Sequence, residues 1–340
     1  MIWILKSTIT FFLLIISLNS CTINSKEPAQ QSGNSEGKYT YAIVIHGGAG
    51  YSTPEKLGKD GEAAYKNALD SALSIGVKAL ESGEIGIDAI ISVISYLEDN
   101  PLFNAGKGAA LTSEGIAELD ASVMRGSDLN AGAVTGLTEV RHPIIAARRV
   151  MDSSVHVMFS GNGATKFAKS QGLEIVPQAY FQTEKSKRSL ERALKADKFG
   201  TVGCVVLDQN GDLYAGTSTG GITNKKHGRV GDVPVIGAGT YAKNGIAAVS
   251  CTGQGEYYIR IAAAKEIISL MEYEGMSVQK AAKEVVFNQI EGMGASGGII
   301  CLDNNGRVAM EFNTSAMFRA YGNSAGDKIV RIFPESEHSD

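Results

Sequence analysis

Gly200-Thr201-Val202-Gly203-Cys204-Val205-Val206-Leu207, then Asp208-Gln209-Asn210-Gly211, then Asp212-Leu213-Tyr214-Ala215-Gly216, reads as a buried strand, a turn and a returning strand. The apolar run is short, rich in Val and bounded by turn residues, which favours a hairpin over a helix. A second hairpin of the same form covers 299–312 around Asp303-Asn304-Asn305-Gly306. Between the two lie a strand at 245–251 and helices at 257–271 and 277–290, marked by apolar residues three and four apart. Just before the first hairpin, residues 182–198 are almost all polar or charged. A helix with a solvated face and a mobile linker both fit that stretch.

Upstream, Tyr41-Ala42-Ile43-Val44-Ile45-His46 is a continuous apolar run that predicts a buried strand, ending in a tight glycine turn at Gly47-Gly48-Ala49-Gly50. Helical spacing marks 62–80 and 88–97, with Asp88 as the expected cap of the second. His142-Pro143 opens a short helix through Val150, 155–159 reads as a strand and 163–171 as a helix. Strands and helices in blocks, joined by hairpins, predict an α+β domain of sheets covered by helices.

The composition narrows the function classes. Hydrophobic residues make up 44% and charged residues 20%, and 32 basic against 36 acidic side chains give a net charge of -4. That excludes a disordered chain and offers no electrostatic footprint for nucleic acid. Forty glycines show no collagen period. The N-terminus is separate in character: Lys6, then the apolar run Ile9-Thr10-Phe11-Phe12-Leu13-Leu14-Ile15-Ile16, predicts a signal peptide over 1–20. Leu18-Asn19-Ser20-Cys21 is similar to a bacterial lipobox, with Cys21 the expected lipidation site and ordinary signal cleavage the alternative. A polar tether fills 21–38. The expected location is the periplasm of a bacterium, on the membrane only through that anchor. Cys204, Cys251 and Cys301 sit in strand-like contexts without ligand spacing, so buried free thiols are expected and no cysteine metal motif.

Four clusters carry possible chemistry, and each has a plain structural reading. Thr201 alone is a β-former at a strand start. Thr217-Ser218-Thr219-Gly220-Gly221 with Gly228-Arg229-Val230-Gly231-Asp232 is a glycine-rich loop with a solvated ion pair. Ser250-Cys251-Thr252-Gly253-Gln254-Gly255-Glu256 is a helix start capped by Ser or Thr. Asn100-Pro101-Leu102-Phe103-Asn104-Ala105-Gly106-Lys107-Gly108 is a tight loop after a helix.

Taken together, these clusters resemble the plant-type L-asparaginases and isoaspartyl peptidases, members of the N-terminal-nucleophile hydrolases. His46-Gly47-Gly48-Ala49-Gly50, residues 97–106 and Glu118-Leu119-Asp120-Ala121-Ser122-Val123-Met124 carry the likeness in the first half. In the second half Gly200-Thr201-Val202-Gly203, 217–221, 228–232 and Cys251-Thr252-Gly253 carry it. The likeness runs from about residue 39 to 321, with the motifs in family order.

The resemblance implies a four-layer αββα sandwich over 39–340, cut between Gly200 and Thr201 into an α chain and a β chain that pair as a homodimer of αβ units. Cleavage would free the Thr201 amine, whose ordinary pKa of about 7.7–8.0 lets it serve as base to its own hydroxyl. The chain has 5 His and none adjoins Thr201 in the sequence. Thr219 matches the residue that holds the nucleophile's amine and hydroxyl, and Asn104 one that helps place it. Arg229 matches the residue for the substrate α-carboxylate, Asp232 that for the α-ammonium, and Thr252 with the Gly253 N–H the oxyanion hole. Backbone carbonyls of Leu97, Glu98, Asn100, Phe103, Ala105 and Lys107 would wrap a structural sodium ion, with no cofactor for catalysis. The implied substrates are L-asparagine and β-aspartyl dipeptides, and these motifs do not read the balance between them. A glycosylasparaginase-like hydrolase shares Thr, Arg and Asp but lacks the Asn-Pro-Leu-Phe-Asn-Ala-Gly loop. A non-catalytic amino-acid-binding lipoprotein would have no use for a scissile Gly-Thr bond.

Overall fold

Apart from His46, Ala42–Gly50 (β1) is apolar or small along its length because both of its faces are covered, inside an eight-stranded sheet. That sheet also holds β2 (Leu119–Arg125), β3 (Ala131–Leu137), β4 (Met158–Ser160), β5 (Val202–Leu207), β6 (Leu213–Thr219), β11 (Ala316–Asn323) and β12 (Lys328–Arg331), in the order β12-β11-β1-β5-β6-β2-β3-β4. A four-stranded sheet orders β10 (Val308–Phe312), β9 (Gly297–Asp303), β8 (Ala247–Gly253) and β7 (Thr240–Lys243). All pairings are antiparallel except β3 with β4. This computed structural model describes residues 39–192 and 200–335. The expected signal peptide, Cys21, the tether and residues 193–198 of the polar stretch, with Phe199, lie outside them.

Helices α1 (Pro54–Glu81), α2 (Gly86–Asp99), α3 (Pro143–Ser153) and α4 (Gly161–Ser170) share one apolar cluster with the larger sheet. A short helix α5 (Glu184–Arg192) follows within the polar stretch, so its first part is a helix. Helices α6 (Gly255–Ile261), α7 (Ala263–Tyr273) and α8 (Val278–Lys283), the last continuing as a π-helical segment over Glu284–Ile290, form a second cluster with the smaller sheet. A third cluster collects residues of both sheets, including Ala42, Val44, Val205, Leu207, Ala248, Ile300 and Leu302.

Strand parity explains these memberships, since successive side chains point to opposite faces. Ile43 and Ile45 of β1, and Cys204 and Val206 of β5, belong to the helix-side cluster, whereas Val44 and Val205 belong to the one between the sheets. By the same alternation His46, Thr201 and Gly203 face the smaller sheet. Cys204, Cys251 and Cys301 are buried free thiols, as expected.

Several local expectations change. Gly47-Gly48-Ala49-Gly50 is no turn: β1 continues through it with a bulge between His46 and Ala49. Asp88 does not cap α2, which starts at Gly86. The Gly86 N–H donates to Asp208 Oδ2 at 3.0 Å, so the first hairpin turn caps the helix from a distance of 122 residues. The expected strand at 155–159 shrinks to Met158–Ser160, and Val155 is exposed. The helix expected over 257–271 breaks at Ala262, which adopts a left-handed conformation, φ 50°. Both hairpin turns follow one device: Asp208 Oδ1 accepts from the Asn210 and Asp212 N–H groups, and Asp303 Oδ1 from those of Asn305 and Arg307.

Candidate active site

The register Val202↔Ser218 places Thr201 beside Thr219 at one end of the space between the sheets. Thr201 Oγ1 lies 3.3 Å from Thr219 Oγ1 and is buried. Thr219 Oγ1 is 3.0 Å from Gly200 O and accepts the Gly221 N–H at 2.9 Å. Asn104 Nδ2 donates to Gly200 O at 2.6 Å and to Gly221 O at 2.7 Å, while its Oδ1 accepts the Ala110 N–H at 2.6 Å. The carbonyl between Gly200 and Thr201 therefore has two donors within reach, Asn104 and Thr219, with a threonine hydroxyl next to it. That arrangement polarises one peptide bond for attack.

Gly48 supports that peptide from the other side. It holds φ at +105°, and a Cβ there would stand 3.1 Å from both Gly200 Cα and Thr201 N. Only glycine meets both the conformation and the clearance.

His46, distant in sequence, abuts Thr201 in space. Its Nδ1 is 3.2 Å from Thr201 O, which can only accept, so Nδ1 carries the hydrogen and Nε2 accepts from Ser250 Oγ at 2.9 Å. Burial pulls the imidazole pKa down to about 3, so the ring is neutral and bound to the Thr201 carbonyl, not to its hydroxyl. The hydroxyls continue from Ser250 to Thr217 (2.7 Å), Thr240 (2.6 Å) and Ser122 (2.7 Å), crossing between the sheets at each step, and end at the Val233 carbonyl (2.5 Å). Gly203 makes room for the first of these contacts: a Cβ there would lie 2.1 Å from Ser250 Oγ and 2.2 Å from His46 Nε2.

A narrow cleft opens beside Thr201, lined by Gly200, Thr219, Gly221, Arg229, Gly231, Asp232 and Gly253 among others. Asp232 is buried, and its Oδ2 has no hydrogen-bond partner among the described residues. Desolvation pushes its pKa up to about 7, against the pull of Arg229. Arg229 pairs with Glu256, through Nε at 2.8 Å and Nη2 at 3.0 Å, and not with Asp232. The solvated Arg229–Asp232 pair of the plain reading is thus absent.

Thr252 and Gly253 close β8 and cap nothing, since α6 begins at Gly255 after Gln254, which makes no side-chain cap. Thr252 Oγ1 accepts the Ala49 N–H at 3.3 Å, leaving its own hydrogen to donate. A Cβ on Gly253 would come within 2.8 Å of Ser296 O, Gly297 and the Tyr258 ring.

The loop after α2 forms a 3-10 turn at Gly106–Gly108. Glu98 is buried and holds the loop base: Ser218 Oγ donates to it at 2.6 Å and the Ile144 N–H at 3.1 Å. A Cβ at Gly106 would fall 2.3 Å from Glu98 O, and one at Gly108 2.0 Å from Phe103 O, so glycines keep these carbonyls uncovered. The Lys107 ammonium stands over the Tyr180 ring, 5.4 Å from its centroid.

A family profile described as asparaginase matches residues 39–332. The chain belongs to the asparaginase family. This asparaginase-family chain is 44% identical to the isoaspartyl peptidase of Escherichia coli K12 over 308 residues, covering 86% of this chain and 96% of that one. Its identity to the isoaspartyl peptidase of Salmonella typhimurium is 45%, covering 86% and 98%. The plant-type L-asparaginase of Pyrococcus horikoshii is 41% identical, covering 82% and 95%. The expected family is thereby borne out, and with it an enzyme of the hydrolase class whose catalysis needs no cofactor.

Sequence motifs located Thr201, Thr219, Asn104, Arg229, Asp232 and Gly253, and the fold gathers all six around one point. His46 and Gly48 were visible as a motif without a role. Ser250, Thr217, Ser122 and Glu256 lie within the quoted motifs without a role of their own and Thr240 lies outside them, because a hydroxyl in a strand or an acid at a helix start is ordinary.

Proposed function

We propose that this chain is an autoprocessing amidohydrolase that releases L-aspartate from L-asparagine and β-aspartyl dipeptides. The observation that carries the reading is the Gly200–Thr201 peptide: its carbonyl is bonded by Asn104 and lies beside the Thr219 hydroxyl, with the Thr201 hydroxyl alongside. Attack by Thr201 Oγ1 on the Gly200 carbonyl carbon converts the amide into an ester. Hydrolysis of that ester leaves the Gly200 carboxylate and the free Thr201 amine. The amine then takes the hydroxyl proton as Oγ1 attacks the side-chain carbonyl of the substrate. Ammonia or the second amino acid departs with that proton, and water releases aspartate from the acyl-enzyme.

In this reading Arg229 receives the substrate α-carboxylate and Asp232, with its unpartnered Oδ2, the α-ammonium. The Thr252 hydroxyl and Gly253 N–H stabilise the oxyanion of substrate hydrolysis, whereas Asn104 and Thr219 serve the carbonyl of autocleavage. The three apolar clusters support the four-layer αββα arrangement over residues 39–340. Pairing of αβ units into a homodimer, a signal peptide over 1–20 and a lipid anchor at Cys21 in the periplasm complete the proposal. A structural sodium ion fits the loop 97–107, where glycines leave carbonyl oxygens bare. Backbone oxygens suit such an ion, and the Lys107 ammonium is engaged elsewhere. Aspartate release from L-asparagine and from a β-aspartyl dipeptide by the purified protein tests the reading. Exclusive activity on glycosylated asparagine would overturn it in favour of the glycosylasparaginase-like alternative.

Two further outcomes are expected. Asn104→Ala should slow autocleavage by about 10²–10³-fold, the usual cost of one oxyanion donor. The time course of the uncut band on a denaturing gel reads it, and cleavage at the wild-type rate would dismiss that role for Asn104. The second concerns pH. Asp232, raised to about 7, must be ionised to hold an ammonium. Below that pH a bound proton has to leave when substrate enters, so KM should rise as pH falls, approaching tenfold per unit. Asp232→Asn should have a high KM that no longer follows pH in this range.

A further inference from the structure

Arg229 offers five N–H donors in a planar fork, and the described residues use one edge of it. Glu256 Oε1 takes Nε at 2.8 Å and Oε2 takes Nη2 at 3.0 Å, a two-point contact from the first turn of α6. Nη1 lies on the other side. A Cβ built on Gly231 would stand 2.8 Å from Nη1 and one on Gly221 3.7 Å from it, and both glycines line the cleft beside Thr201. The same corner fixes Asp232: a Cβ on Gly255 would be 2.8 Å from its N and Oδ1 and 3.0 Å from Arg229 Nη2.

We infer that Glu256 is a positioning residue for substrate binding: by holding the Nε–Nη2 edge of Arg229, it turns the Nη1 end of the guanidinium toward the cleft for the substrate's carboxylate. The inference rests on the proposed role of Arg229 and adds the group that aims it. Glu256 follows closely on Gly253 in the chain, so one strand-to-helix corner places both an oxyanion donor and the carboxylate clamp. Glu256 is about half exposed and its pair with Arg229 adds little to folding stability, so its removal leaves the fold in place. The opposite role is a carboxylate that competes with substrate for Arg229, and it predicts the opposite sign.

The test compares wild type, Glu256→Ala and Glu256→Gln after autocleavage, with L-asparagine as substrate. Glu256→Ala should raise KM about tenfold, a change worth about 1.4 kcal/mol, with kcat altered less than about twofold and autocleavage at the wild-type rate. Glu256→Gln, which keeps the shape and one acceptor, should give a smaller rise. In an Arg229→Ala background, Glu256→Ala should add nothing. An unchanged or lowered KM in both single variants overturns the inference, as does a KM rise that persists without Arg229. If Arg229→Ala itself leaves KM unchanged, the assignment of Arg229 fails first, which separates the two failures.

Discussion

Thr201→Ala is expected to remain one uncut chain and to lose aspartate-releasing activity by about 10⁴-fold or more, the scale on which losing a nucleophile acts. Both losses follow from one atom. Thr201 Oγ1 is the hydroxyl beside the Gly200 carbonyl, and among the described residues no serine or cysteine side chain lines the cleft between Thr201 and Asp232. Without it the amide cannot become an ester, so the Thr201 amine stays locked in a peptide and no base is released. The neutral His46 cannot substitute, since its Nδ1–H is committed to Thr201 O and its Nε2 to Ser250. Thr201→Ser should restore both activities in part, because the hydroxyl returns without the methyl that restrains its rotamer. A cleaved Thr201→Ala chain on a denaturing gel would sink the account.

Arg229→Lys is expected to lower kcat/KM for L-asparagine by about 10²-fold, mostly through KM, although the charge is kept. Removing one partner of a hydrogen-bonded charge pair typically costs about 2–5 kcal/mol. A lysine has a single point of charge. It cannot meet the Glu256 carboxylate along one edge and a substrate carboxylate at the other end, as Arg229 is placed to do. Autocleavage should proceed, because Asn104 and Thr219 serve that step and Arg229 does not touch Gly200 O. Wild-type kinetics in Arg229→Lys would show that the substrate carboxylate binds elsewhere.

The two hairpins, the strand at β1 and most helices were legible because apolar runs and helical spacing report burial directly. The limits of that reading are also physical. Gly47 to Gly50 carries turn residues, yet its glycines serve clearance: Gly47 lies against Phe103 and Gly48 against the Gly200–Thr201 peptide. α2 lacks a local cap because Asp208, contributed by a distant hairpin, supplies it. Ala262 breaks a continuous helical pattern with no Gly or Pro to mark it. At the site, motif residues were legible as types and positions, but their partners were not. Gly203 shows why: its role is to clear a path for a contact between His46 and Ser250, two residues 204 positions apart. Likewise nothing in the local sequence tells that Glu256, and not Asp232, faces the edge of Arg229.

The central claim is that the Gly200–Thr201 bond is cut by the chain itself to free a threonine N-terminus. Intact mass and N-terminal sequencing of the purified wild-type protein test it most directly. The account predicts a fragment of about 15 kDa beginning Thr201-Val202-Gly203-Cys204, carrying a free amine. A single chain that stays uncut on prolonged incubation and still hydrolyses L-asparagine would contradict it.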